Sequence, residues 1–199
     1  MELKADLWFP SIVFAGVNED VNREFIKIQT AQFRNAGTPQ ENTDFEWRSD
    51  KLSDWTKLDL EPKLMWTSVQ AELDKAVEYA CKTLGLPTLE FQHLCINVNG
   101  EGVGHSLHNH PGSLISGMYY VDVPEEDMGD VQFIRNDEAK YFLPEANLEK
   151  FNNITTLLAT YKPITGLMLL FPSWINHTTT SNKSKKQRIS ISFNYGVGR

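Results

Sequence analysis

The sequence predicts an α+β protein, mainly β: helices in the first part of the chain pack on the outside of a sheet that belongs to a sandwich or jelly roll. Three observations carry this. Residues 60–84 repeat apolar side chains at three- and four-residue steps, the period of a helix with one buried face. From Leu89 onward the chain breaks into short runs rich in β-branched and aromatic residues, divided by Gly, Pro and Asn, about eight in all, which suits two packed sheets. The 199 residues contain no repeat and no low-complexity linker, so residues 1–199 are read as one domain: a helical N-terminal elaboration (1–87) and a jelly-roll core (88–199).

Taken in order, Leu7–Ala15 reads as a short strand. Asp20 is placed to cap a helix from Val21 to about Ala36, with Val21, Phe25, Ile28 and Phe33 on one stripe and Gly37 and Pro39 to stop it. Residues 38–58 are polar, carry Trp47 and Trp55, and have no period; an irregular segment or lid is expected there. Leu60–Leu84 is the strongest helix. Pro62 suits its first turn, Trp66, Val69, Leu73, Ala76, Val77, Ala80 and Leu84 form its stripe, and Gly85 and Pro87 end it. The expected strands are Glu90–Val98, Gly104–Asn109, Ser113–Val121, Asp130–Ile134, Thr155–Tyr161, Gly166–Phe171, Ile175–Thr180 and Arg188–Tyr195.

Composition narrows the function. The chain is 41% hydrophobic and 23% charged, has no apolar run long enough to span a membrane, and opens without the basic and apolar segments of a signal peptide. Cytoplasmic residence is expected, with Cys81 and Cys95 reduced and buried. A net charge of −7 argues against a general nucleic-acid binder, which carries a basic face. A homodimer is compatible with the sequence.

The chemistry concentrates in histidines. Four of the five lie between His93 and His110; the remaining one, His177, stands in Phe-Pro-Ser-Trp-Ile-Asn-His. On a strand, His108 and His110 project to the same face, and imidazole is the commonest ligand for first-row transition metals. Two ligands so close need a third from elsewhere, and His177 is the candidate. His105 has opposite parity to His108 and should point away unless a bulge at Gly104 reverses it. His93, between Phe91 and Cys95 on alternate positions, is read as structural.

His-x-His, a distal His and then Arg188 resembles the pattern of the iron(II)/2-oxoglutarate oxygenases. The match is similar in particular to a family of such oxygenases known from bacterial and phage sequences, through His-Asn-His-Pro-Gly-Ser, Ser-Gly-Met-Tyr-Tyr, Phe-Pro-Ser-Trp-Ile-Asn-His, Arg-Ile-Ser-Ile-Ser-Phe-Asn and, at the N-terminus, Leu-Trp-Phe-Pro-Ser-Ile-Val-Phe. It departs from the general pattern at His110, where a carboxylate is usual. The resemblance implies a double-stranded β-helix (a cupin-like jelly roll) and Fe(II), 2-oxoglutarate and O2 as cofactor and cosubstrates. His108, His110 and His177 would hold the metal. Arg188 with Ser190 would grip the far carboxylate of 2-oxoglutarate, since guanidinium pairs bidentately with carboxylate. Strand parity places Ser190 and Ser192 on the side of Arg188. Val121–Phe133 with the preceding tyrosines resembles the corresponding passage of prolyl hydroxylase-like enzymes. That match falls on Tyr120, with Ser116 and Met118 on the same inward face and Tyr119 facing out or into an outer core.

The implied reaction is hydroxylation of an unactivated C–H of a peptidyl substrate, such as a prolyl residue, or of a small molecule. Two other readings stand beside it: a three-histidine cupin-like dioxygenase without 2-oxoglutarate, and a non-catalytic metal-binding barrel. Trp174 is expected in the core, with a place in the wall of a substrate pocket as the alternative, Lys183, Lys185 and Lys186 in solvent, and Asn97, Asn109 and Asn194 are candidate polar lining.

Overall fold

The computed structural model describes residues 11–35, 46–48, 60–137 and 155–198. Helix α1 is Arg23–Asn35 and α2 is Leu60–Leu84; the strands are β1 (Phe14–Val17), β2 (Glu46–Arg48), β3 (Glu90–Asn99), β4 (His105–His108), β5 (Ile115–Asp122), β6 (Val131–Ile134), β7 (Leu158–Tyr161), β8 (Leu167–Pro172), β9 (His177–Thr179) and β10 (Arg188–Gly196). They form a six-stranded sheet in the order β1-β8-β5-β10-β3-β2 and a four-stranded sheet in the order β4-β9-β6-β7. Every recorded pairing is antiparallel.

Strand alternation divides the large sheet between two environments. Leu94, Ile96, Val98, Tyr119, Val121, Met168, Leu170, Ile191, Phe193 and Tyr195 face the helices, where Trp66, Val69, Leu73, Val77 and Ala80 of α2 complete one core. The opposite face contributes Tyr120, Leu167, Leu169 and Phe171 to a second core with Val131 and Phe133 of the small sheet. Phe133 meets Phe171 edge-on at 4.8 Å between ring centroids. The middle of that inner face is polar instead: Asn97 and Asn99 of β3 and Arg188, Ser190 and Asn194 of β10 are all buried.

The predicted stripe of α2 is the buried one, and the helix ends as its sequence requires. Gly85 takes φ +67°, and Leu86 N–H returns to the Cys81 carbonyl at 2.9 Å. The Tyr195 hydroxyl donates to Asp74, which fixes α2 against β10. Helix α1 differs in detail from expectation. Its cap is Asn22, whose Oδ1 accepts the Phe25 N–H at 3.0 Å, and Asp20 lies outside the helix. With that start the buried face carries Ile26 and Thr30, while Ile28 is exposed.

The first strand is Phe14–Val17; the residues before 11 in its expected span lie outside the described part. Of residues 38–58 only β2 is described, and it pairs with β3 as an edge strand that no period announced. The N-terminal part therefore adds strands to both ends of the large sheet as well as helices to its face. Each of the eight strands expected beyond residue 88 is present within a few residues at either end. Cys81 and Cys95 are buried and not joined in a disulfide. No described helix is long and apolar enough to cross a membrane.

Gly117 sits on the helix-facing side of β5, where a Cβ would stand 2.2 Å from the Phe193 ring and 2.8 Å from Leu170 Cδ2. Phe193 is fully buried and has no room to yield. Gly117→Ala should therefore lower stability by about 1–3 kcal/mol, read as a lower urea midpoint. Gly16→Ala, which meets nothing within 4 Å, should stay within about 0.5 kcal/mol of wild type. Equal midpoints for the two variants would refute this packing of β5 against β10.

Candidate active site

Strands β4 and β9 are neighbours in the small sheet, and His108 lies directly opposite His177. The two histidine segments are thus brought together side by side by strand pairing. His110 follows the end of β4. Its N–H donates to the Ser173 carbonyl at 2.9 Å, and the chain then turns through Gly112 at φ +88°. This places the His110 ring parallel to that of His177, with centroids 5.1 Å apart and planes 12° from parallel.

One ring nitrogen from each of His108, His110 and His177 falls within 4.8 Å of the others. Backbone carbonyls set two of the tautomers. His108 Nδ1 lies 2.7 Å from the Ser106 carbonyl and His177 Nδ1 3.0 Å from the Ile175 carbonyl. A carbonyl only accepts, so both rings carry hydrogen on Nδ1 and turn the Nε2 lone pair to the cluster. Burial pushes the His177 imidazole down to about 4, against the carbonyl bond that favours its charged form, so it is neutral at pH 7. His110 Nε2 is 3.2 Å from His177 Nε2. Two nitrogens each about 2.1 Å from one ion at right angles lie about 3 Å apart, so the His110–His177 pair has the spacing, and the three histidines the donor atoms, of a transition-metal site. His177 is buried, His110 partly so, and His108 exposed, which leaves the cluster open on the β4 side.

His105 is a correction to strand parity. The register slips between His105 and His108, which lie opposite Thr179 and His177, so four residues of β4 span three of β9. The bulge turns His105 inward with His108, but one step deeper. Its Nε2 is 3.3 Å from Asn99 Nδ2, outside the three-histidine cluster.

The second feature lies on the large sheet. Arg188 is 1% exposed, whereas Lys183, Lys185 and Lys186 are exposed as expected. Its Nη1 donates to the Met128 and Gly129 carbonyls at 2.8 Å each, and its Nη2 to Asn99 Oδ1 at 3.0 Å. Nε has no partner among the described residues, and neither has the Tyr120 hydroxyl, although both atoms are buried. The guanidinium carbon stands 5.5 Å from the centre of the Tyr120 ring. Burial lowers the Arg188 pKa and raises that of Tyr120 to about 12, so the pair presents a cation and a protonated phenol. Ser190 is buried on the same face and pairs in register with Tyr120 on one side and Asn97 on the other. Among the described residues no carboxylate forms a salt bridge with Arg188. A buried cation with a free N–H, beside a free O–H donor, is what a carboxylate would satisfy.

One further expectation is revised. Trp174 is 56% exposed rather than in the core, because Pro172 to Ile175 forms a tight corner, Ile175 N–H to Pro172 carbonyl, that buries Ile175 and turns the intervening indole outward. His93 bonds Asn194 at 2.8 Å, which links it to the polar inner face. Asn99, which holds both Arg188 and His105, was not singled out in the sequence. The signal available was its alternation with Asn97 along β3, which reads as polar residues on one face of an otherwise apolar strand.

The fold and these positions can be set against known proteins. Residues 94–194 match the family described as "Putative 2OG-Fe(II) oxygenase". No curated protein matches the chain. Among solved structures, a prolyl-4-hydroxylase of Pseudomonas putida superposes with a TM-score of 0.60 at 12% identity, covering 95% of this chain and 94% of that one. A prolyl hydroxylase of Trichoplax adhaerens, in complex with a hypoxia inducible factor peptide, gives 0.62 at 13% over 92% and 83%. HygX of Streptomyces hygroscopicus, with nickel and 2-oxoglutarate bound, gives 0.57 at 11% over 94% and 83%. At such identities these likenesses speak for a shared double-stranded β-helix fold. The family match spans just over half of the 199 residues and takes in all three clustered histidines and Arg188. This chain belongs to the 2OG-Fe(II) oxygenase family.

Proposed function

We propose that His108, His110 and His177 hold the Fe(II) of this oxygenase, and that Arg188, Tyr120 and Ser190 receive the far carboxylate of 2-oxoglutarate. The observation that carries the reading is the Arg188–Tyr120 pair: a buried cation and a buried phenol, each with an unsatisfied donor, where a metal site alone would need neither. When bound, Fe(II), 2-oxoglutarate and O2 together supply the oxidant for C–H hydroxylation as the cosubstrate loses CO2 and becomes succinate. The protein's own part is positional. Met128, Gly129 and Asn99 hold the guanidinium still, so its free N–H points at a fixed place. The Tyr120 hydroxyl stays protonated and donates. Ser106 and Ile175 carbonyls keep two imidazoles in the tautomer that offers Nε2.

Three imidazoles are neutral ligands, so the ion keeps its whole double charge; a carboxylate in place of His110 would remove one unit. A dianionic cosubstrate then meets positive charge at both ends, at the metal and at Arg188. The substrate we assign is a peptidyl side chain, a prolyl residue being the form that the two prolyl hydroxylase structures support. The exposed His108, on the outermost strand of the small sheet, leaves room for an extended chain to approach.

Succinate formed from 2-oxoglutarate in the presence of Fe(II) and O2 tests the activity. No succinate, with iron bound, would favour a three-histidine dioxygenase that does not use 2-oxoglutarate. For the metal, His108→Ala and His177→Ala should abolish Fe(II) binding in oxygen-free titration, whereas His105→Ala should leave it near wild type. His110→Asp should keep the ion, since it restores the usual ligand set. Equal loss from His105→Ala and His108→Ala would show that the cluster is drawn around the wrong histidine.

For the cosubstrate, Arg188→Ala should leave iron content unchanged and weaken 2-oxoglutarate binding. Hydrogen bonds to charged groups contribute about 1.5–3 kcal/mol, and more when a buried charge loses its partner, so the loss should be roughly ten- to several-hundred-fold. Arg188→Lys should recover part of it, because ammonium keeps the charge without the planar fork. The readout is the metal-to-ligand absorption band during anaerobic titration of 2-oxoglutarate. Unchanged affinity in Arg188→Ala would remove the cosubstrate assignment and leave the metal site standing.

A further inference from the structure

The three clustered histidines are not held alike. His108 and His177 bond backbone carbonyls through Nδ1, and a carbonyl cannot change from acceptor to donor. His110 Nδ1 instead faces the side-chain amide of Asn194, with Nδ2 at 3.4 Å. An amide presents a donor at one end and an acceptor at the other, and a half-turn exchanges them. The same Asn194 accepts from the Ser116 hydroxyl at 2.6 Å through Oδ1 and bonds His93 Nε2 at 2.8 Å through Nδ2. Ser116 in turn lies 2.8 Å from the Ser173 hydroxyl, a bond in which either oxygen can donate.

Two bonding patterns follow for these atoms. In the first, Asn194 donates its NH2 to His93 and to His110 Nδ1. His110 then carries its hydrogen on Nε2 and donates it to His177 Nε2, 3.2 Å away, so two of the three ligand nitrogens are engaged with each other. In the second, the amide is turned. Its oxygen accepts from His110 Nδ1–H and His93 Nε2–H, its NH2 donates to Ser116, and Ser116 donates to Ser173. His110 Nε2 now offers a lone pair beside those of His108 and His177. Each imidazole keeps one hydrogen throughout and only moves it from one ring nitrogen to the other, by exchange with solvent. Each of these bonds joins side-chain groups that can exchange donor and acceptor, which a backbone carbonyl cannot.

We propose that Asn194 is a positioning residue that determines whether His110 is able to ligate: metal binding selects the turned amide, and His93, Ser116 and Ser173 reverse with it. This rests on the reading of His110 as the third metal ligand. It distinguishes that residue from His108 and His177, whose tautomers are fixed by backbone carbonyls, and it assigns a role to the polar residues behind the cluster.

The test uses the full chain with 15N-labelled histidine, because ring-nitrogen shifts report which nitrogen carries hydrogen. Zinc serves as a diamagnetic probe, since it accepts the same imidazoles. In metal-free protein His110 should carry hydrogen on Nε2, and on adding zinc it should carry it on Nδ1. Asn194→Asp presents only acceptors, so its metal-free His110 should already be the Nδ1–H form, with zinc affinity equal to or above wild type. Asn194→Ala should lose roughly 10–100-fold in zinc affinity, the usual cost of removing the partner of a ligating histidine. A purely structural role would make both variants equally poor binders and leave the tautomer unchanged. The proposal is overturned if His110 keeps one tautomer in wild type with and without zinc, or if Asn194→Asp binds as weakly as Asn194→Ala. If wild type binds no zinc, the reading of the three histidines as a metal site fails. The metal-free comparison of wild type with Asn194→Asp still decides whether Asn194 sets the His110 tautomer, and an Nε2–H form in both would overturn it.

Discussion

The inner face of this protein is organised by the need to keep one guanidinium charged between two sheets. Taking Arg188 out of water is unfavourable, and burial accordingly lowers its pKa. Neutral acceptors offset part of that cost: two carbonyls from the segment before β6, the amide of Asn99, and the face of Tyr120. These requirements reach well beyond the arginine. The carbonyls are aimed by a turn in which Gly129 has φ +90°, and a Cβ there would stand 2.3 Å from the Thr180 carbonyl and 3.2 Å from Nη1. Asn99 is held in register opposite Arg188 by the pairing of β3 with β10. Among the described residues no carboxylate pairs with Arg188 and its Nε has no partner, and in the proposed arrangement the far carboxylate of 2-oxoglutarate supplies that anion.

The two sheets contribute different chemistry. The central strand β10, between β5 and β3, carries the polar row Arg188, Ser190 and Asn194, with Tyr120 and Ser116 opposite on one side and Asn97 and Asn99 on the other. The small sheet contributes two of the three clustered imidazoles from paired strands, where backbone hydrogen bonds limit their movement. His110 alone sits in a turn, and its support comes from side chains of the large sheet. The histidine cluster and the Arg188–Tyr120 pair are therefore joined through β10, which backs His110 at one end through Asn194 and bears Arg188 at the other. In the proposed arrangement the spacing between iron and guanidinium is set by strand geometry, the least adjustable part of the molecule.

Likeness at 11–13% identity over more than nine-tenths of the chain is intelligible on the same grounds. The fold asks for alternation, turns that close, and a filled helix-facing layer, and many residues meet each demand. The inner polar row is less permissive, because each buried donor and acceptor needs its complement.

Sequence alone determined the local elements and pointed to the histidines that the structure brings together. The α2 stripe, its Gly85 stop and the eight strands of the core were legible because each follows from residues within one turn or one pleat of each other. The histidines and Arg188 were legible because their side chains have few structural uses in that pattern, and because the segments around them resemble a known family. The arrangement of those groups was decided only by tertiary structure. Parity turned His105 outward unless a bulge reversed it, and only the pairing with β9 decided that a bulge is there, between His105 and His108. The α1 face, the edge strand β2 and the outward turn of Trp174 likewise depend on what lies across from them. Asn99 and Asn194 show the limit most clearly. An asparagine is compatible with a loop, a cap or a pocket, and only the strands that face it select the partner its amide will bond.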